Sequence, residues 1–132
     1  MSAYIFLAGR ILYALPLIIM GASHFLQMAG MTAYAESKGI PLPQVVVIIA
    51  GLVIIVGAIF ILMGYRGRIG AGLVAAFLVT TAFLMHGFWG VDAASAQMEM
   101  INFFKNIIMA GAALMMTKTG TGPYSVDNLR KQ

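Results

Sequence analysis

The sequence predicts an all-α membrane protein: a four-transmembrane-helix bundle with a short interfacial helix between helices 1 and 2. Three observations carry that expectation. Hydrophobic residues make up 61% of the 132 and charged residues 9%, against about 25% charged in an ordinary soluble domain. So short a chain has a large surface for its volume, and with this little charge it would not stay dissolved. Four apolar segments reach the ~20 residues that a hydrocarbon core requires. The charged residues fall mainly in the connections and at the ends. Residues 1–132 are read as one domain, because the length allows no second core.

The segments are Tyr4–Phe25, Pro43–Met63, Ile69–Phe88 and Met100–Met116. Inside lipid every backbone N–H and C=O needs an internal partner, so each segment should be a helix. The first holds Arg10 about two turns inside and Pro16 near its middle, where a kink is expected from the missing hydrogen bond. Arg10 has two readings: it snorkels to the nearer headgroups, or it pairs with Asp127, the nearest acid on its side. No basic n-region or small-residue cleavage site precedes the first segment, so it should persist in the mature protein.

Met31–Lys38 is expected to lie at the interface as a short helix, stopped by Gly39 and the prolines 41 and 43. Tyr34 would sit at headgroup depth. The second segment has Gly51 and Gly57 but no ionisable group, a pattern that permits close helix packing. The connection Gly64-Tyr65-Arg66-Gly67-Arg68 is short and makes segments two and three antiparallel neighbours. The fourth segment carries another small face at Ala110–Ala113.

With four crossings, both termini and the Tyr65–Arg68 connection share a side, which carries Arg66, Arg68, Lys118, Arg130 and Lys131. The opposite connections carry only Lys38. The positive-inside rule then places both termini in the cytoplasm. The net charge of +4 has no basic stripe behind it, so nucleic acid is excluded as a partner. The chain contains no cysteine, which removes disulfides, thiol relays and thiolate metal sites. Eleven methionines are read as gap-filling in a bundle rather than as copper ligands.

This topology gathers the costly side chains at the outer face. His24 ends the first helix there, His86 and Trp89 end the third, and Asn102, Lys105 and Asn106 begin the fourth. The last three are spaced i, i+3 and i+4 and so share a helix face. One reading has Lys105 snorkel with Glu99 as a partner. The sharper one has Lys105, His24 and His86 converge on a carbonyl-bearing or anionic ligand. A quinone head fits the donors, with Phe83, Phe88 and Trp89 as ring faces, although an aromatic belt explains the same rings. The histidines are isolated, with no HxxxH, HExxH or ExxH pattern, so no metal is expected. No nucleophile, base and orienting group stand together, so no independent catalytic activity is expected.

Several short stretches resemble the DoxX family of small bacterial membrane proteins. They are Arg10-Ile11-Leu12, Gly39-Ile40-Pro41-Leu42-Pro43, Gly51-Leu52 with Gly57, and Arg66–Arg68. The more specific ones are His86-Gly87-Phe88-Trp89, Asn102-Phe103-Phe104-Lys105-Asn106 and Gly122-Pro123-Tyr124-Ser125-Val126-Asp127. The resemblance implies a four-helix bundle in the bacterial inner membrane, in a family with members proposed as parts of membrane oxidoreductase assemblies. By analogy, Lys105 with Asn102 and Asn106, His86 with Trp89, and Arg10 with Asp127 are the positions to watch. His24 departs from the lysine of many relatives, and the lack of cysteine separates this chain from relatives in methylamine utilisation. The function expected is an accessory subunit of a membrane redox complex that binds quinone or lipid and contacts other membrane subunits. The alternative is a scaffold that self-associates or joins other subunits by helix packing, with a small solute carrier a more distant third.

Overall fold

A computed structural model describes residues 2–130, and Lys131 of the basic tail lies outside them. The described chain forms α1 (Ser2–Leu26), α2 (Met28–Ser37), α3 (Pro43–Met63), α4 (Gly67–Met85), α5 (Ala93–Thr119) and α6 (Val126–Leu129). Four of these, α1, α3, α4 and α5, are long and apolar enough to cross a membrane. Large apolar side chains such as Leu12, Ile49, Ile69 and Ile108 are exposed on their outer surfaces, which is what a lipid-facing surface requires. The fold is a four-helix membrane bundle.

The helices pack in series, α1 on α3, α3 on α4 and α4 on α5, while α2 leans on α3. One face of each enters the core: Ala14 and Leu17 from α1, Ile54, Ala58 and Ile61 from α3, Ala71, Val74, Ala75 and Leu78 from α4, and Ala110 and Ala113 from α5. Small residues dominate because close backbone approach, rather than expulsion of water, drives association in lipid. The circuit closes sparsely between α1 and α5, where the Tyr13 hydroxyl donates to the Met109 carbonyl at 2.6 Å.

Two of the boundaries that differ from the sequence expectation bear on the polar residues. α4 stops at Met85, leaving His86 in the turn. α5 begins at Ala93, about two turns earlier than the apolar pattern suggests, because Asp92 caps it by accepting the Ser95 amide at 2.7 Å. Glu99 is therefore a helical residue whose side chain is buried, not part of a loop.

The tail folds back against the turn between α3 and α4, though not through the ion pair expected of Arg10 and Asp127. The Arg10 guanidinium instead donates to the carbonyls of Thr121 at 3.0 Å, Pro123 at 3.5 Å and Tyr124 at 2.7 Å. The Asp127 carboxylate accepts the amides of Arg66 and Gly67, each at 2.9 Å. Arg66 begins α4 in a left-handed conformation with no cap of its own, so the orphan amides of that helix start draw a carboxylate from the tail. Snorkelling is ruled out as well, since Arg10 is only 5% exposed. A Cβ on Gly64 would collide with Ser125, and one on Gly67 with Thr121. Glycine at both positions lets tail and turn interlock.

The glycines sort by environment into a test of the packing. A Cβ on Gly57 would approach Val74 Cγ2 to 2.9 Å and the Gly70 carbonyl oxygen to 3.1 Å, whereas one on Gly72 would meet nothing within 4 Å. Gly57→Leu is expected to cost about 1–3 kcal/mol, the usual penalty of overpacking, and Gly72→Leu close to none. Thermal unfolding in detergent checks both.

Candidate functional site

The polar residues away from the termini form a network centred on Glu99. α2 brings Tyr34 to it, the end of α2 brings Lys38, and the turn after α4 brings His86. Lys38 Nζ donates to Glu99 Oε1 at 2.6 Å, and His86 Nδ1 lies 2.9 Å from Oε2. The Tyr34 hydroxyl lies 3.1 Å from Oε1, 3.0 Å from the Met85 carbonyl oxygen and 3.5 Å from His86 Nδ1. Its single proton serves one acceptor at a time. A carboxylate only accepts, so the contact with His86 requires the proton on Nδ1.

Partial burial makes these contacts matter. The side chains of Lys38 and Glu99 are 19% and 12% exposed, so loss of either would leave the other charge poorly solvated. Burial, together with the hydrogen bond to Glu99, pushes the Tyr34 phenol up to about 12. Because that value lies above the ordinary tyrosine value, the neutral donor form is favoured, and its contribution fades only as pH rises through about 12. Lys38 also lies 5.3 Å from the centre of the Tyr34 ring. The network ties the interfacial helix α2 to α4 and α5.

His24, His86 and Lys105, expected to converge, each meet a different partner. His24 Nδ1 meets the Met20 carbonyl at 3.0 Å, one turn back in α1, and its ring stands edge-to-face with that of Phe77. His86 turns to Glu99. The expected partnership of Glu99 with Lys105 is likewise replaced, because Lys38 takes the carboxylate. Lys105 is exposed on the outer surface of α5 and donates to Asn102 Oδ1 at 3.1 Å. Asn106 points the other way and is 4% exposed. It shares an inward stripe with Glu99, Phe103, Ala110 and Ala113. Helical spacing places these residues near one another, but the 100° step between 105 and 106 separates outside from inside. Among the described residues, no three His, Cys, Asp or Glu side chains gather as a metal site would require.

Trp89 lies over Gly87, where its ring would be 3.0 Å from any added Cβ, and stays half exposed. With Phe83, Phe88 and Phe103 it forms an aromatic cluster whose ring centres lie 5.1 to 6.2 Å apart. Most of these contacts are edge-on, the arrangement that ring quadrupoles favour. The cluster fixes the turn between α4 and α5. Beside it, Met100, Ile101, Phe104, Ile108 and Met109 line an open apolar groove of about 460 Å³ with Lys105 on its wall.

Comparison with known proteins bears on this architecture. The DoxX family profile matches residues 5–87, from α1 through the histidine of the network. The chain belongs to the DoxX family. Inner membrane protein YphA of Escherichia coli K12 is 35% identical over 121 residues, covering 92% of this chain and 86% of that protein. Inner membrane protein YqjF of the same strain is 33% identical, covering 93% and 89%. A Surfeit locus protein 4 homolog of Schizosaccharomyces pombe is 28% identical over 97% of this chain, which corresponds to 38% of that longer protein. No solved structure matches. The DoxX protein described here is thus a small, multi-pass integral membrane protein with lipid-facing helices.

Tyr34, Lys38 and Glu99 carry no local motif, and Lys38 and Glu99 stand 61 residues apart. Their value as a unit can be measured. Glu99→Gln strands the Lys38 ammonium and is expected to cost about 1–3 kcal/mol. Lys38→Met in the same chain should recover much of that loss, because it removes the stranded charge. A double-mutant cycle on thermal unfolding checks the coupling.

Proposed function

We propose that this DoxX protein is a non-catalytic inner-membrane subunit that holds a quinone-type lipophile for a membrane redox assembly. One observation carries the reading. Lys105 is a cation on the lipid-facing surface of α5, held by Asn102 at the side of an apolar groove. Among the described residues it joins no ion pair. An intramembrane lysine exposed in this way favours a polar ligand or a headgroup. A quinone carbonyl would accept from Nζ, its ring would lie against Phe104, and its tail would follow Ile108 and Met109. Asn102 positions the amine. His86 and Glu99 have no direct part, since they satisfy one another, and Trp89 belongs to the wall that fixes the neighbouring turn. The resemblance to family members in oxidoreductase assemblies supplies the redox context.

Quinone carried by protein purified in mild detergent is the test. Lys105→Ala should reduce the bound quinone about tenfold, the value of one charge-assisted hydrogen bond, with little change in thermal stability. His24→Ala should leave the quinone content unchanged. Wild-type preparations free of quinone would overturn the proposal.

A second reading, as a helix-packing scaffold, draws on Gly72 of α4 and Gly111 of α5, where among the described residues no other helix or side chain comes within 4 Å of an added Cβ. Such open positions admit a neighbouring helix. The natural absence of cysteine allows single-cysteine probes of this and of the orientation. Disulfide cross-linking at Gly72→Cys or Gly111→Cys in native membranes would favour the scaffold, and monomer alone would count against it. With both termini cytoplasmic, Ala94→Cys should react with an impermeant maleimide from outside the cell and Leu129→Cys should not.

A further inference from the structure

At the termini end of the bundle, α1 and α5 do not close on each other. A cavity of about 300 Å³ lies between them, walled by Phe6, Gly9 and Tyr13 on one side and by Ala112 and Met116 on the other. Its polar end is the turn at Gly120 and Thr121, with Arg10 beside it. Ile5 and Phe6 along its wall are 67% and 52% exposed, so the cavity opens sideways to the bilayer.

The charge at this polar end is not balanced within the described chain. Arg10 is 5% exposed, and its terminal nitrogens meet three backbone carbonyls. Carbonyls satisfy donors but leave the net charge in place. Arg10 belongs to no ion pair among the described residues, and its Nε–H is buried without an acceptor. A second arginine stands at the same turn: Arg68 Nε lies 3.8 Å from where a Cβ on Gly120 would be. Two guanidinium groups thus flank one turn at the end of an apolar cleft.

We propose that this cleft seats an anionic phospholipid, with its phosphate at the Gly120–Thr121 turn between Arg10 and Arg68 and an acyl chain along Gly9 and Met116. Basic pockets between membrane helices on the cytoplasmic side recognise anionic headgroups in this way. The phosphate supplies the missing counter-charge and an acceptor near Nε. The chain fills a cleft that the protein's own side chains leave open. In the orientation proposed above, the lipid belongs to the inner leaflet. The site is separate from the Lys105 groove, and neither proposal depends on the other.

The experiment is native mass spectrometry of the full-length protein, delipidated and then offered phosphatidylglycerol or phosphatidylcholine. Two arginines should favour the anionic lipid by about tenfold or more. Arg10→Gln should weaken the preference but also loosens the tail. The sharper variant is Gly9→Leu. Nothing lies within 4 Å of a Cβ there, so leucine should occupy the cleft without disturbing Arg10, leaving the melting temperature of the lipid-free protein unchanged while retention falls. Gly72→Leu, outside the cleft, should retain lipid as the wild type does. Equal retention of both lipids would overturn the proposal, as would undiminished phosphatidylglycerol binding by Gly9→Leu or an equal loss in Gly72→Leu. Thermal stabilisation by inorganic phosphate equal to that by phosphatidylglycerol would point to a free anion and would also overturn it.

Discussion

A carboxylate inside a membrane protein is tolerable only where other groups meet it, and Glu99 imposes that condition on this fold. Its two oxygens take an ammonium from the end of α2 and an imidazole from the turn after α4, and both lie within reach of the α2 phenol. Those elements are otherwise loosely specified. α2 carries few apolar anchors, with Ala35 its only buried residue among those described, and His86 closes α4 through a single backbone bond, from its amide to the Ala82 carbonyl. The need to compensate one charge therefore decides where an interfacial helix rests and where α4 ends. The aromatic cluster of Phe83, Phe88, Trp89 and Phe103 supports the same turn from its apolar side.

The two ends of the bundle solve the problem of buried charge differently. Away from the termini, unlike charges are paired directly. At the termini end, Arg10 is met by carbonyl dipoles and Asp127 by amides at the start of α4. The first arrangement is electrically closed, whereas the second leaves a guanidinium whose charge nothing in the described chain cancels. That difference, together with the sparse contact between α1 and α5, makes the termini end the receptive one for an anion.

The fold class was legible because lipid imposes strict rules: length and apolar content specify a crossing helix, and glycine, proline and charge mark its ends. Segment two shows this most plainly, since Pro43–Met63 agrees at both boundaries. The site was less legible. The i, i+3, i+4 spacing of Asn102, Lys105 and Asn106 places them near one another on α5, yet it does not say which of them points inward, because that depends on neighbouring helices. Glu99 had to be read as a partner for some cation, and Lys105 stood nearer to it in sequence than Lys38. The backbone path of α2, set by tertiary contact, reversed that order. Asp127 was read as the partner of Arg10, yet its oxygens accept the amides of Arg66 and Gly67, because the start of α4 has no cap from its own side chains.

The tail also carries information about time. Arg10 precedes its acceptors at Thr121 and Tyr124 by 111 and 114 residues. During synthesis the arginine enters the membrane long before these carbonyls exist, and α4 emerges without the carboxylate that will cover its first amides. Closure at this end must therefore wait for the tail, and contacts of such wide sequence separation form slowly in general. A chain cut short before Thr121 would keep its four long helices yet leave an uncovered arginine and a bare helix start. The tail thus masks a guanidinium that would otherwise show its charge at this end of the bundle.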